Sequence, residues 1–551
     1  MKTLVLICAL ALPVYSQNAQ HAVDLPKNTA TSDTIQKRET VISSQEILIP
    51  SLLGLSIANE EKTALSGQKN PTETIVIRGF SDAQIAALHK TLSPFLQQPI
   101  TLATLDVISQ KIENALDPSD KKLLVASYPD QEITSGVIAI TVGPPVIQRV
   151  SVKGTILFGK KFLSRAILTR HESNELASSL RKDLAFLNQN SFRKASVILS
   201  PAANGSPFTD VVFRIKETKP WSVFTGFDNY ANKNQGDERL YVGGKFGNLF
   251  DLDHRMSWLL LRSADDKKLQ AGNLSYQIPL DRHMLLNFSL SAATSESTST
   301  NNIDNNGEFY GAKANLQFPL PDFGCIDSFL KTGFSWRDNT YSQTGPSSAD
   351  ETHINIFQWE TIWDATIHDA KGQTHVALGL SINPGSGFLS SDDANYQDLG
   401  GKDSSYWIAS LTADRSWNIG KFGELFLRGE AQWANQHLLA SDQFFATGYN
   451  RVRGYDENAV QYDHAMFLSA EWKMPAIKLP YSQKLQPLTF FDTAYLADDS
   501  GEEVNLSSVG LGMRWNAKNH VSARADLAFP LNELEQQGRE PELHFSINTI
   551  W

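Results

Sequence analysis

The residue types that usually perform chemistry occur in this chain, but not at the spacings chemistry requires. The 12 histidines are scattered, and none is placed to bring two imidazoles together on one element for a metal. No His-Glu-x-x-His, Gly-x-Ser-x-Gly or phosphate-loop pattern occurs, so zinc hydrolysis, a nucleophile elbow and nucleotide binding are not indicated. Acidic doublets stand at Asp265-Asp266 and Asp392-Asp393 in segments that read as loops. Solvated turns account for them more simply than cation sites. Of the two cysteines, Cys8 lies in an apolar leader and Cys325 is left alone, which removes an intramolecular disulfide, a zinc cluster and a dithiol centre. One short run offers something else, Val452-Arg453-Gly454-Tyr455. Arg presents a planar fork of donors to a carboxylate, Gly supplies backbone freedom, and Tyr combines an aromatic body with a polar tip. Taken alone, such a run reads as a surface turn. No catalytic residue, no metal and no cofactor is expected.

The elements around these residues begin with a leader. Lys2 precedes an apolar run from Leu4 to Val14, followed by Ser16 and Gln17, which reads as a signal peptide over 1–17 with cleavage near Ser16 or closer to Ala22. Beyond it no run of about 18 apolar residues appears. An exported chain of this kind enters a membrane only as a closed barrel. The net charge of −11 argues against a nucleic-acid partner. Residues 18–72 are polar except for Ile47 to Ile57, interrupted by Pro50 and Gly54, and read as a linker with a docking segment or a short plug element.

From 73 to 143 the pattern is compact and mixed. Thr74–Arg78 reads as a strand, Ser81 with Gln84 as a capping box opening a helix, and Leu102, Leu105, Ile108 and Ile112 as one face of a second helix. Strands follow at Leu123–Tyr128 and Val137–Val142. The same order recurs over 144–218, with Leu176, Leu180, Leu184 and Leu187 at helical spacing. Two tandem α+β modules of strand, helix, helix, strand, strand result; a single α+β domain fits the periodicity as well.

From 219 to 551 helical periodicity disappears, and about sixteen segments alternate in polarity. In Glu424–Trp433, Leu425, Leu427, Ala431 and Trp433 oppose Glu424, Arg428, Glu430 and Gln432. Glu471 and Lys473 oppose Leu468, Ala470 and Trp472, and Arg514 opposes Val509, Leu511, Met513 and Trp515. Charges on one face in strand after strand suit a water-filled lumen. Trp433, Trp472 and Trp515 at strand ends suit an interfacial girdle. The expected fold is a transmembrane antiparallel β-barrel of about 16 strands, with Glu430, Glu471, Lys473 and Arg514 facing the lumen.

Within that order, Val452-Arg453-Gly454-Tyr455 falls in a long loop between segments ending near Gln436 and beginning near His464, and Phe490-Phe491-Asp492-Thr493-Ala494 falls on a wall strand. With these residues the chain resembles the two-partner-secretion transporters, the haemolysin secretion/activation type of the BamA-like superfamily. Weaker likenesses are Pro129–Gly136, Leu187–Asn190, Pro201, Thr209-Asp210, Phe227–Asn229 and Glu238-Arg239. The resemblance implies two POTRA modules ahead of a sixteen-stranded barrel, and an ion pair between Arg453 and Asp492. It implies an outer-membrane location with the modules in the periplasm. The partners it implies are a secreted exoprotein, outer-membrane lipid and the barrel assembly machinery during biogenesis. Departures are the glycine-poor Ala446–Asn450 and the lack of an evident plug helix. Assembly of other barrels, a passive pore and a barrel enzyme are the competing readings; two modules in place of a longer array favour secretion.

Overall fold

The computed structural model describes residues 35–37 and 47–551 except 70–73, 118–123, 130, 145, 170–175, 202–207, 232–235, 237, 265–267, 281–282, 299–303, 322–325, 345–348, 370, 388, 500, 518–519 and 535–536. The leader, Cys325 and the Asp265-Asp266 doublet lie outside the described residues. Two compact units divide at Thr218 and Lys219.

The first unit holds two modules. One comprises β1 (Gly54–Ala58), α1 (Glu61–Lys69), β2 (Ile75–Arg78), α2 (Asp82–Leu92), α3 (Leu102–Leu116), β3 (Val125–Ser127) and β4 (Val137–Gly143). Its sheet runs β2-β1-β4-β3, with β1 parallel to both neighbours. This corrects the linker reading of 18–72, because β1 is the interior strand of the sheet. The strand expected at Thr74–Arg78 is present as Ile75–Arg78, at the outer edge of the sheet. All five residues of β1 are buried. A strand covered on both faces has no polar side and so no alternation to betray it. Ser81 N–H donates to Gln84 Oε1 at 3.1 Å at the start of α2, and Thr101 Oγ1 accepts from Thr104 N–H at 3.2 Å ahead of α3. Leu88, Leu92, Ile108 and Ile112 pack on Leu55, Ile57, Ile138 and Ile140.

The other module comprises β5 (Val146–Lys153), α4 (Lys160–Ala166), α5 (Leu176–Asn188), β6 (Arg193–Pro201) and β7 (Phe208–Glu217). Leu180, Leu184 and Leu187 of α5 pack on Val197 and Phe213 of the sheet. Buried Asp183 accepts the N–H groups of Leu168 at 2.8 Å and Thr169 at 2.9 Å, fixing the chain between the helices. A three-residue strand, Ile35–Lys37, pairs in parallel with the outer edge of β6.

The second unit is a closed antiparallel barrel. Seventeen strand segments form its wall; Ile477–Leu479 continues the twelfth strand, His464–Lys473, past Met474-Pro475-Ala476, and both pair with Gln483–Ala497, so the wall has sixteen strands. Pro475 lacks the N–H an unbroken ladder needs. Outward side chains such as Met466, Leu468 and Trp472 are 42–52% exposed while inward Phe467 is 1% exposed. That inversion of a soluble sandwich is what lipid outside and protein inside require. The seventh and eighth strands, Ile326–Thr344 and Ala349–Asp369, have 19 and 21 residues. About 9–11 suffice to span a bilayer, so these two continue past it. All long connections leave one rim, including 385–404 and 435–463; the opposite rim has short turns. Closure comes where Phe224–Asp228 pair with Ser546–Ile550, a ladder of five residue pairs. Asn229 bridges that seam, its Nδ2 donating to Leu543 O at 2.6 Å and its Oδ1 accepting from Phe545 N–H at 2.7 Å.

Candidate functional site

The connection 435–463 joins the eleventh strand, Glu424–Ala434, to the twelfth and folds into the lumen. Its base is knitted by buried Asp463, which accepts Leu438 N–H at 2.9 Å and Gln443 Nε2 at 3.1 Å and meets His437 Nδ1 at 2.6 Å. A two-residue hairpin, Phe444-Phe445 against Gln461-Tyr462, carries the chain inward. At the turn, Gly454 has φ +92°, and a Cβ there would stand 3.1 Å from Ala528 Cβ and 3.2 Å from Pro530 Cδ. Backbone conformation and wall contact both ask for glycine.

This places Arg453 against the wall with 3% exposure. Its Nε donates to Asp492 Oδ2 at 2.7 Å and its Nη2 to Asp492 Oδ1 at 2.9 Å, a two-pronged contact. Nη1 donates to Glu471 Oε1 at 2.8 Å, and Asp526 Oδ2 lies 3.6 Å away. Ser469 Oγ donates to Asp492 Oδ1 at 2.7 Å. The guanidinium carbon sits 3.5 Å from the Phe490 ring centroid. Burial works against the Arg453 charge, yet Asp492, Glu471 and Asp526 together hold its pKa above the ordinary value.

The small residues of the fourteenth strand make room for this. A Cβ on Gly510 would lie 2.1 Å from the Phe490 ring, and one on Gly512 2.1 Å from Asp526 Oδ1. Asp526 in turn receives Arg514 at 2.6 Å and Arg524 at 2.7 Å. Three guanidinium groups (Arg453, Arg514, Arg524) thus face three carboxylates (Glu471, Asp492, Asp526), a neutral set that the protein can bury.

The rest of the signature is fixed by its own contacts. Val452 and Tyr455 are buried with Phe467 and Leu506. Tyr455 Oη donates to Asn532 O at 2.9 Å, and Gly454 N–H donates to His544 Nε2 at 3.1 Å. Glu430 binds Arg451 at 3.0 Å and also Arg428. Lys473 lies at the edge of the Arg453 cluster, 4.0 Å from Glu471 and 3.4 Å from Glu424. Tyr449 stacks on Tyr230, in the connection after the first strand, at 3.6 Å between centroids, and Arg524 Nη2 donates to Tyr449 O at 3.1 Å. Sequence reasoning missed Asp526, Arg524 and His544. The one available signal was parity, since Arg524 and Asp526 share the inward face with Ala528 on the fifteenth strand, Val521–Pro530. The Asp392-Asp393 doublet is a local brace: Asp392 Oδ1 accepts Asn395 N–H at 3.1 Å, and Asp393 Oδ1 accepts Ser404 N–H at 2.8 Å.

What such a site can do is hold a long loop inside a lumen by buried, charge-assisted contacts. The family model of the haemolysin secretion/activation protein ShlB/FhaC/HecB matches residues 208–515. The heme/hemopexin transporter protein HuxB of Haemophilus influenzae is 20% identical over 559 residues in one strain, covering 96% of this chain and 95% of that protein. In a second strain it is 20% identical over 465 residues, 81% and 80%. Among solved structures, CdiB from Escherichia coli superposes with a TM-score of 0.70 at 16% identity, covering 99% of this chain and 98% of that one. BamA from Haemophilus ducreyi lacking POTRA domains 1–3 gives 0.52 at 14%, over 86% and 98%. The structural likenesses establish the barrel fold.

Proposed function

The chain belongs to the haemolysin secretion/activation family ShlB/FhaC/HecB, outer-membrane transporters that translocate a partner protein in two-partner secretion, and from that premise we propose how its parts divide the work. The two α/β modules are POTRA modules in the periplasm, and they take up an extended segment of the secreted partner. In support, the outer edge of β3 carries no strand among the described residues. Beside it lies an apolar groove lined by Leu48, Ile100, Leu105, Tyr128 and Ile133. An exposed edge next to such a groove takes a strand through backbone hydrogen bonds and reads its side chains through the groove.

The barrel is the conduit. Its apolar outer face meets outer-membrane lipid, and a strand wall of this kind reaches the membrane through the barrel assembly machinery. The signature loop, docked through Arg453 on Asp492, acts as the latch inside the conduit, with the long-loop rim outside the cell. One observation carries the latch: an arginine 3% exposed, with all three guanidinium nitrogens taken by wall residues, at the tip of a 29-residue connection. Its test uses Arg453→Ala and Asp492→Ala. Both should leave a heat-modifiable barrel in the outer membrane while the partner fails to reach the medium. Secretion at the parental level by both would remove the latch. Depleting the protein should cost the cell one exoprotein; general loss of outer-membrane proteins would instead mean barrel assembly.

A further inference from the structure

The loop is held at a second point, on a different sector of the wall. Asp442, eleven residues before Arg453, is 5% exposed and accepts Arg337 Nη2 at 2.6 Å. Tyr406 Oη donates to its other oxygen at 2.7 Å, and Gln358 Nε2 lies 3.3 Å from the first. Arg337, Gln358 and Tyr406 belong to the seventh, eighth and tenth strands, whereas Arg453 is held by the twelfth, thirteenth and fifteenth. The loop is therefore a strap pinned to two separate sectors of the wall.

The Asp442 end is also joined to the connection 385–404. There α6 (Asp393–Asp398) turns Tyr396 inward, and its ring meets that of Tyr406 at 6.1 Å. Tyr396 is buried with Leu438 and Leu439 of the strap and Ile354 and Ile356 of the eighth strand. Asn383 Nδ2 donates to its hydroxyl at 2.8 Å.

The two ends differ in the charged contacts that hold them. At Arg453 the guanidinium grips Asp492 with two nitrogens and Glu471 with the third, and Asp526 lies 3.6 Å away. Asp442 takes one guanidinium nitrogen, Arg337 Nη2, and two neutral donors, Tyr406 Oη and Gln358 Nε2. Two-pronged charge-assisted contacts are the stronger kind, so the Asp442 end yields first. We infer that the strap opens at Asp442, that Asp442 and Arg337 are the positioning pair setting how often it does so, and that Arg453 remains fixed as its hinge. The inference rests on the reading of the loop as the latch of the conduit.

Two measurements on the full chain test it. In planar bilayers, Asp442→Asn keeps the shape of the side chain and removes its charge. It should raise the frequency of open events at least about tenfold, the factor that ~1.4 kcal/mol of lost anchoring gives. Tyr406→Phe should raise it less, and both variants should still secrete. In a Cys325→Ser background, Leu438→Cys with Ile354→Cys is joined by a reversible bis-thiosulfonate, which should stop secretion until a thiol reductant is added. Unchanged open frequency in both point variants overturns the inference. So does parental secretion by the cross-linked chain, and if Arg453→Ala is then still defective the latch at Arg453 survives. Parental secretion by cross-linked chain and Arg453→Ala alike removes both.

Discussion

Asp492→Asn is the substitution that isolates charge from shape at the latch. Three guanidinium groups balance three carboxylates there, and the variant leaves one positive charge without its partner at a site where Arg453 is 3% exposed. Removing one member of a buried pair costs about 3–5 kcal/mol. Glu471 at 2.8 Å and Asp526 at 3.6 Å keep part of the attraction, which puts the loss near the lower end, ~3 kcal/mol. At a factor of ten for each ~1.4 kcal/mol, the undocked population of the loop rises roughly a hundredfold. Ala446 is fully buried with Val452 and Tyr455 and reports on that population. With Ala446→Cys in a Cys325→Ser background, maleimide labelling is slow and proportional to undocking. Asp492→Asn should accelerate it by roughly two orders of magnitude, on a barrel that still shifts on heating. Acceleration by less than a factor of about three would refute the electrostatic account and leave apolar packing as the force that holds the loop.

Gly510→Ala should displace Phe490, since its Cβ would lie 2.1 Å from that ring. Arg453 then loses a face contact worth about 0.5–2 kcal/mol, and labelling at Ala446→Cys rises several-fold. Glu457 accepts Tyr449 N–H at 3.0 Å, and burial pushes its carboxyl up to about 7, with Arg239 pulling the other way. Because the docked loop holds a proton that the undocked one releases near 4.5, docking is strongest below that pH and weakens as pH rises through 7. Labelling relative to that of the unfolded chain at the same pH, which cancels the thiolate fraction, should therefore rise between pH 5 and pH 8 in the parent and stay flat in Glu457→Gln. Asp183→Ala leaves two N–H groups between α4 and α5 without their acceptor. It should destabilise that module by about 2–3 kcal/mol, read as faster tryptic cleavage before residue 218 with the barrel intact.

The barrel was legible because each strand is covered differently on its two faces. Glu424–Trp433 and Ser507–Trp515 announce period two and an inward polar side without any knowledge of neighbours. Helix α2 was legible from its capping box, Ser81 with Gln84, and α3 from the spacing of Leu102, Leu105, Ile108 and Ile112. β1 was not. Gly54–Ala58 is buried on both faces and follows Pro50, so it resembles a stray apolar patch in a polar linker. At the lumen the residue types were legible but not their pairings. Asp442 meets Arg337 across 105 residues of sequence, and Arg453 meets Asp526 across a sheet. Which carboxylate an arginine finds is set by barrel closure, a property of no single segment. The segment 385–404 read as a polar loop because its buried aromatic anchor, Tyr396, sits among Asp, Asn and Gln.

The seam between the first and last strands imposes an order of events on folding. Neighbouring strands elsewhere meet within a few tens of residues, whereas Asn229 reaches Leu543 over 314 residues and the ladder beside it has only five residue pairs. Loop-closure entropy makes this the most expensive contact to form and its short ladder the least rewarding. The other junctions must therefore already stand when it forms, as a curved sheet with two raw edges. Until then those edges can pair with any other strand. Asn229, which supplies one donor and one acceptor to the last strand, adds two hydrogen bonds where the backbone offers few and biases the first strand toward its own chain's terminus.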